Sequence, residues 1–72
     1  MSTLYFIREI STTGTRVVDA TPYKSKEAAL RVILGHLARG GIIKAWIEDQ
    51  DGHMVMLPER VSAAFEDGRN SN

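Results

Sequence analysis

The sequence predicts an α+β two-layer sandwich in ββαββ(α) order: a mainly antiparallel sheet, one long amphipathic helix packed on one face, and a short C-terminal helix. Three observations predict it. One stretch, Tyr23 to Gly41, is the only long segment with helical apolar spacing. Short runs rich in strand formers lie on both sides of it, separated by turn residues. Pro58 follows the last of these runs and opens a short segment with helical spacing.

The long helix has a start, a stripe and a stop. Ser25 is a good N-cap, since its hydroxyl accepts from an amide left without a partner in the first turn. Pro22 fixes an extended approach, and Glu27 suits the positive end of the helix dipole. Ala29, Leu30, Ile33, Leu34 and Leu37 form one apolar stripe, with Glu27, Arg31, Gly35 and Arg39 opposite. Gly40 and Gly41 supply the stop. Gly35 stands out, because a mid-helix glycine costs up to about 1 kcal/mol against alanine. It reads either as a tolerated cost on a solvated face or as a place where another backbone comes close.

The other elements follow in order. Leu4 to Ile10 reads as a strand, with Leu4, Phe6, Arg8 and Ile10 on one face and Tyr5, Ile7 and Glu9 on the other. Ser11 to Thr15 combines hydroxyls and a glycine in a turn, and Arg16 to Ala20 returns as the second strand. Tyr23 is expected at the entrance to the helix. Ile42 to Glu48 is the third strand: Ile43, Ala45 and Ile47 face the helix, and Trp46 lies on the outer face with Lys44 and Glu48. Asp51-Gly52 is a strong hairpin signal, and His53 to Leu57 is the fourth strand. Val61, Ala64 and Phe65 fall on one side of the terminal helix. The organisation expected is one domain over residues 1–66 with a disordered tail over 67–72.

Composition narrows the function. A chain of 72 residues is close to the lower limit for a self-sufficient core, and with no cysteine it has no disulfide or thiolate metal site to staple it. That composition suits a reducing cytoplasm, and no run is long and apolar enough for a membrane span. The formal net charge of zero argues against a generic polyanion binder. The charges are unevenly spread: the chain through Lys44 is net positive, and the rest is net negative by the same amount.

No catalytic motif emerges. The two histidines, His36 and His53, have no cysteine to join them in a metal site, and an enzyme would need carboxylates from different strands to converge on them. Asp49-Gln50-Asp51-Gly52 is similar to the opening of a calcium loop, but Arg60 stands where such a loop needs its bidentate glutamate. The serines lack a nucleophile-elbow context, and Gly40-Gly41 closes a helix where a phosphate cradle must open one. The expectation is therefore no enzyme, no cofactor, no metal and no small-molecule substrate.

Tyr23-Lys24-Ser25-Lys26-Glu27-Ala28 resembles the helix start of many small strand–strand–helix domains, among them the arm-site DNA-binding modules of phage integrases. Those modules usually place three strands before the helix and this chain has two. The likeness covers mostly capping chemistry and assigns no family.

The leading expectation is a small non-catalytic protein–protein interaction or regulatory module, bacterial or phage-like, of inhibitor type or homodimeric. Its candidate surface is an apolar outer patch of Trp46 with Tyr5, Ile7, Met54 and Met56. The competing position for Trp46 is beneath the C-terminal helix, against Val61 and Phe65. The alternative function is a nucleic-acid-binding accessory domain using Lys24, Lys26, Arg31, Arg39 and Lys44 with an open sheet face, with Arg8 and Arg16 as further cations.

Overall fold

In the computed structural model the described residues are 3–18 and 20–70. The element order is β1 (Tyr5–Ser11), β2 (Arg16–Val18), α1 (Lys26–Arg39), β3 (Ile42–Asp49), β4 (Met54–Met56) and α2 (Pro58–Asn70). The four strands form one antiparallel sheet in the order β2-β1-β3-β4. An α+β architecture is thus the one observed. The strand order places β1 and β3 at the centre, and the chain crosses from the β2 edge over β1 by way of α1.

Local chemistry accounts for α1. The Ser25 hydroxyl accepts from the Ala28 amide at 3.1 Å. At the other end the Gly40 amide donates to the Leu37 carbonyl at 3.1 Å. Gly40 and Gly41 both have positive φ, 86° and 90°, a conformation that strains residues with a Cβ. Tyr23 does not begin the helix. It pairs with Tyr5 in an antiparallel bridge, each amide donating to the other's carbonyl at 2.8 Å. The segment before the helix is therefore tied to β1.

The core lies between the sheet and both helices. Ile7, Ala29, Ile33, Ala45, Ile47 and Val61 form one buried cluster. Ile7 stands opposite Ile47, and Glu9 opposite Ala45, so these residues share the helix-covered face. Phe6, Arg8, Ile10, Lys44, Trp46 and Glu48 alternate onto the other face, which no described helix covers.

Two register shifts explain departures from simple alternation. Ile10 pairs with Lys44 but Ser11 pairs with Ile42, which leaves Ile43 as an extra residue in β3. Ile43 was expected under the helix with Ala45 and Ile47. Instead it is 64% exposed, because the bulge interrupts the pleat. On the other edge Met56 pairs with Ile47 and Met54 with Glu48, so Val55 is an extra residue in β4.

The C-terminal helix is longer than its composition suggests. It runs to Asn70, through Asp67 and Gly68, where a polar tail was expected from residue 67. Val61 anchors it in the core, and Ala64, Phe65 and Gly68 border an apolar groove of about 270 Å³ with Leu34 and Ala38 of α1. Residues 71 and 72 lie outside the described residues. Among the described residues, no helix is long and apolar enough to cross a membrane.

Gly35 is exposed, and a Cβ added there meets nothing within 4 Å. No other described backbone of the chain approaches it, so within the chain the residue sits on a solvated helix face. Gly35→Ala should therefore stabilise the fold by about 0.5–1 kcal/mol in urea unfolding. A loss of stability would mean that the glycine serves a contact.

Candidate functional site

The open face of the sheet is the surface that sets this molecule apart. Its side chains fall into three cross-strand rows. Arg16, Ile10 and Lys44 make the first; Arg8 and Trp46 the second; Phe6, Glu48 and Met54 the third. The register of four strands therefore collects three cations, two aromatic rings and one carboxylate on one face.

These groups are interlocked. The Trp46 indole N–H donates to Glu48 Oε2 at 2.8 Å. The other oxygen of Glu48, Oε1, lies 3.2 Å from Arg8 Nε. The Arg8 guanidinium is also 5.7 Å from the centre of the Phe6 ring, and its Nη1 donates to the Ile7 carbonyl at 3.2 Å. Arg16 reaches over from the edge strand to stack its guanidinium 6.0 Å from the Trp46 ring centre. Trp46 is left only 7% exposed although no helix covers it. Long side chains whose stems lie along an aromatic surface bury it in this way.

The expected apolar patch is not assembled. Trp46 is on the outer face as expected, but beneath Arg16 and beside Arg8 and Glu48. Tyr5 and Ile7 face the helices, on the opposite side of β1 from Arg8; Ile7 is fully buried in the core and Tyr5 packs against it. Met56 also packs against the core, and only Met54, 46% exposed, stays on an accessible surface. Val61 belongs to the core on the helix-covered face, so Trp46 does not lie under α2 either. The expected basic face is split in the same way. Lys24, Lys26, Arg31 and Arg39 are exposed in and beside α1, whereas Arg8, Arg16 and Lys44 lie on the far side of the sheet.

Each histidine meets a carboxylate. His36 Nδ1 lies 2.7 Å from Glu9 Oε2, a contact between α1 and β1 that spans 27 residues of sequence. Glu9 is 3% exposed, the one buried charged side chain among the described residues. His36, Arg39, Gly40 and Ile42 line a shallow pocket of about 160 Å³ beside it. Sequence reading missed this pair, because alternation of residue types assigns Glu9 a face but does not give it a partner.

The second histidine belongs to the β3–β4 turn. Asp49 Oδ1 accepts from the amides of Asp51 and His53, both at 2.9 Å, and its Oδ2 lies 3.5 Å from His53 Nδ1. One ligand atom from each of Asp49, Asp51 and His53 falls within 4.8 Å of the others. Asp51 and His53 are exposed, and the bonds to backbone amides account for the position of Asp49 as a turn cap. The two carboxylate–histidine pairs do not converge: Asp49 pairs with Tyr5 at one end of β1, and Glu9 is four residues further along the strand.

Compared with protein-family models, curated proteins and solved structures, the chain matches none of them. Its function must be read from its own geometry.

Two predictions follow from these carboxylates. His36→Ala should lower stability by about 2 kcal/mol in urea unfolding, since it leaves the buried Glu9 carboxyl without its hydrogen-bond partner. Glu9→Gln should cost less, because its amide oxygen still accepts from Nδ1–H. The Asp49 carboxyl is held below its ordinary value of 3.8, first by the His53 amide and further by the Asp51 amide and the nearby His53 ring. A carboxyl with a lowered folded value stabilises fully above the unfolded value, and the contribution is lost as pH falls through the folded one. Thermal midpoints of the wild type should therefore fall more steeply below about pH 4 than those of Asp49→Asn.

Proposed function

We propose that this chain is a small non-catalytic protein-interaction module and that the open face of its sheet is the surface that engages the partner. One observation carries this reading. A four-stranded sheet with both helices on one side leaves the other side to Phe6, Ile10, Met54 and an interlocked set of charged and aromatic side chains, with no described element over them. A face that keeps aromatic surface ordered without a second layer is suited to meeting another molecule. The set also costs little to organise on binding, since Arg8, Trp46 and Glu48 already hold one another in place.

Self-association through the sheet edges is the less favoured form of this reading. The β4 edge exposes Met54 and Leu57. However, it is only three residues long and carries the extra residue Val55, and short, bulged edges resist pairing with another strand. A second reading is a nucleic-acid accessory role, favoured by the presence of Arg8, Arg16 and Lys44 on one face. Base stacking on Trp46 is not supported, because the ring is already covered.

The reading is tested by capture from a lysate of the source organism on the immobilised 72-residue chain. Proteins retained by the wild type should be lost with the double variant Arg16→Glu/Lys44→Glu and kept with Arg31→Glu/Arg39→Glu on α1. Equal retention by both variants would refute the open face as the interaction surface.

A further inference from the structure

The partner's chemistry can be taken one step further, resting on the open face as the interaction surface. We infer that this face recognises an acidic protein segment, with Arg16 and Lys44 as its two anion contacts and the Trp46 ring as the platform from which Arg16 reaches.

The cations of the face are not equivalent. Arg8 is engaged by the Glu48 carboxylate, the Phe6 ring and the Ile7 carbonyl, so its charge is largely answered within the fold. Arg16 and Lys44 are exposed. Among the described residues Arg16 has only its stacking contact with Trp46, and Lys44 has no ion pair. Glu48, the one carboxylate on the face, is occupied by Arg8 and the Trp46 indole. Among the described residues the face therefore offers two unanswered positive charges and no unanswered negative one.

Their spacing suits an extended acidic chain. Arg16 and Lys44 both stand in the row of Ile10, on the strands either side of β1, which puts their backbones about 10 Å apart. An extended segment presents alternate side chains on one side at intervals of about 7 Å. Two flexible cationic side chains bridge that difference, with Ile10 between them as an apolar contact. Nucleic acid fits less well. A single-strand platform needs a free aromatic face, and Trp46 is 7% exposed beneath Arg16.

The same stacking gives a direct readout, because Trp46 is the only tryptophan. When a carboxylate draws Arg16 away, the indole environment changes and so does its emission. The experiment titrates the full chain with oligoglutamate and, separately, with oligothymidine of matched charge, following Trp46 emission together with anisotropy of the labelled probe. Oligoglutamate should bind, shift the emission and weaken as salt rises. Arg16→Gln and Lys44→Gln should each weaken binding about tenfold, the equivalent of 1.4 kcal/mol. Lys26→Gln on α1 should leave it unchanged. Tighter binding of oligothymidine, or an equal loss with Lys26→Gln, would overturn the inference. Absence of any oligoglutamate signal would also overturn it. If that absence accompanies loss of capture in the Arg16→Glu/Lys44→Glu variant, only the acidic chemistry fails. If capture is also unaffected, the interaction face fails with it.

Discussion

The pairing of β1 with β3 is the constraint on which the rest of this structure depends. Ile7 faces Ile47 and Arg8 faces Trp46, so one register fills the core and at the same time builds the outer face. A slip of one residue would exchange the two sets, sending Arg8 into the core and Ile7 to solvent. The core cannot accept that exchange, because Ile7 and Ile47 are both fully buried against Ile33 and Ala29 of α1. The outer face is thus held in place by the packing on the other side of the sheet.

Glu9 adds a second restriction to the same strand. A buried carboxylate is costly unless it is bonded, and His36 is placed to bond it only when α1 lies in one position along β1. Sliding or rolling the helix would leave the Glu9 carboxyl buried and without its hydrogen-bond partner. The polar pair therefore adds direction to a helix–sheet contact that is otherwise made of interchangeable aliphatic side chains. The Tyr5–Tyr23 bridge acts at the other end of the helix, where it ties the incoming chain to β1 before Ser25 caps the first turn.

The outer face shows how a sheet can leave a tryptophan without a covering layer and still keep it from water. Arg16 lies above the ring, Glu48 satisfies the indole N–H, and Arg8 neutralises Glu48. The arrangement is polar at its surface and aromatic beneath. It differs from an apolar patch in kind, since what it presents to solvent is charge held on a firm base.

Much of the fold was legible in the sequence. The spacing from Ala29 to Leu37, the Ser25 cap, the glycine stop and the Asp51-Gly52 turn each act within a few residues, and each is where the pattern puts it. The assignment of Ala45 and Ile47 to the core and of Trp46 to the outer face also follows from alternation alone. What alternation leaves open is which face of β1 the helix chooses. Tyr5 and Ile7 could be grouped with Trp46 on paper, and only the β1–β3 register separates them. The bulge at Ile43, the partnership of Glu9 with His36 and the stacking of Arg16 on Trp46 were likewise settled by tertiary structure. Each depends on residues distant in sequence, and pattern within one segment carries no information about which distant segment arrives beside it.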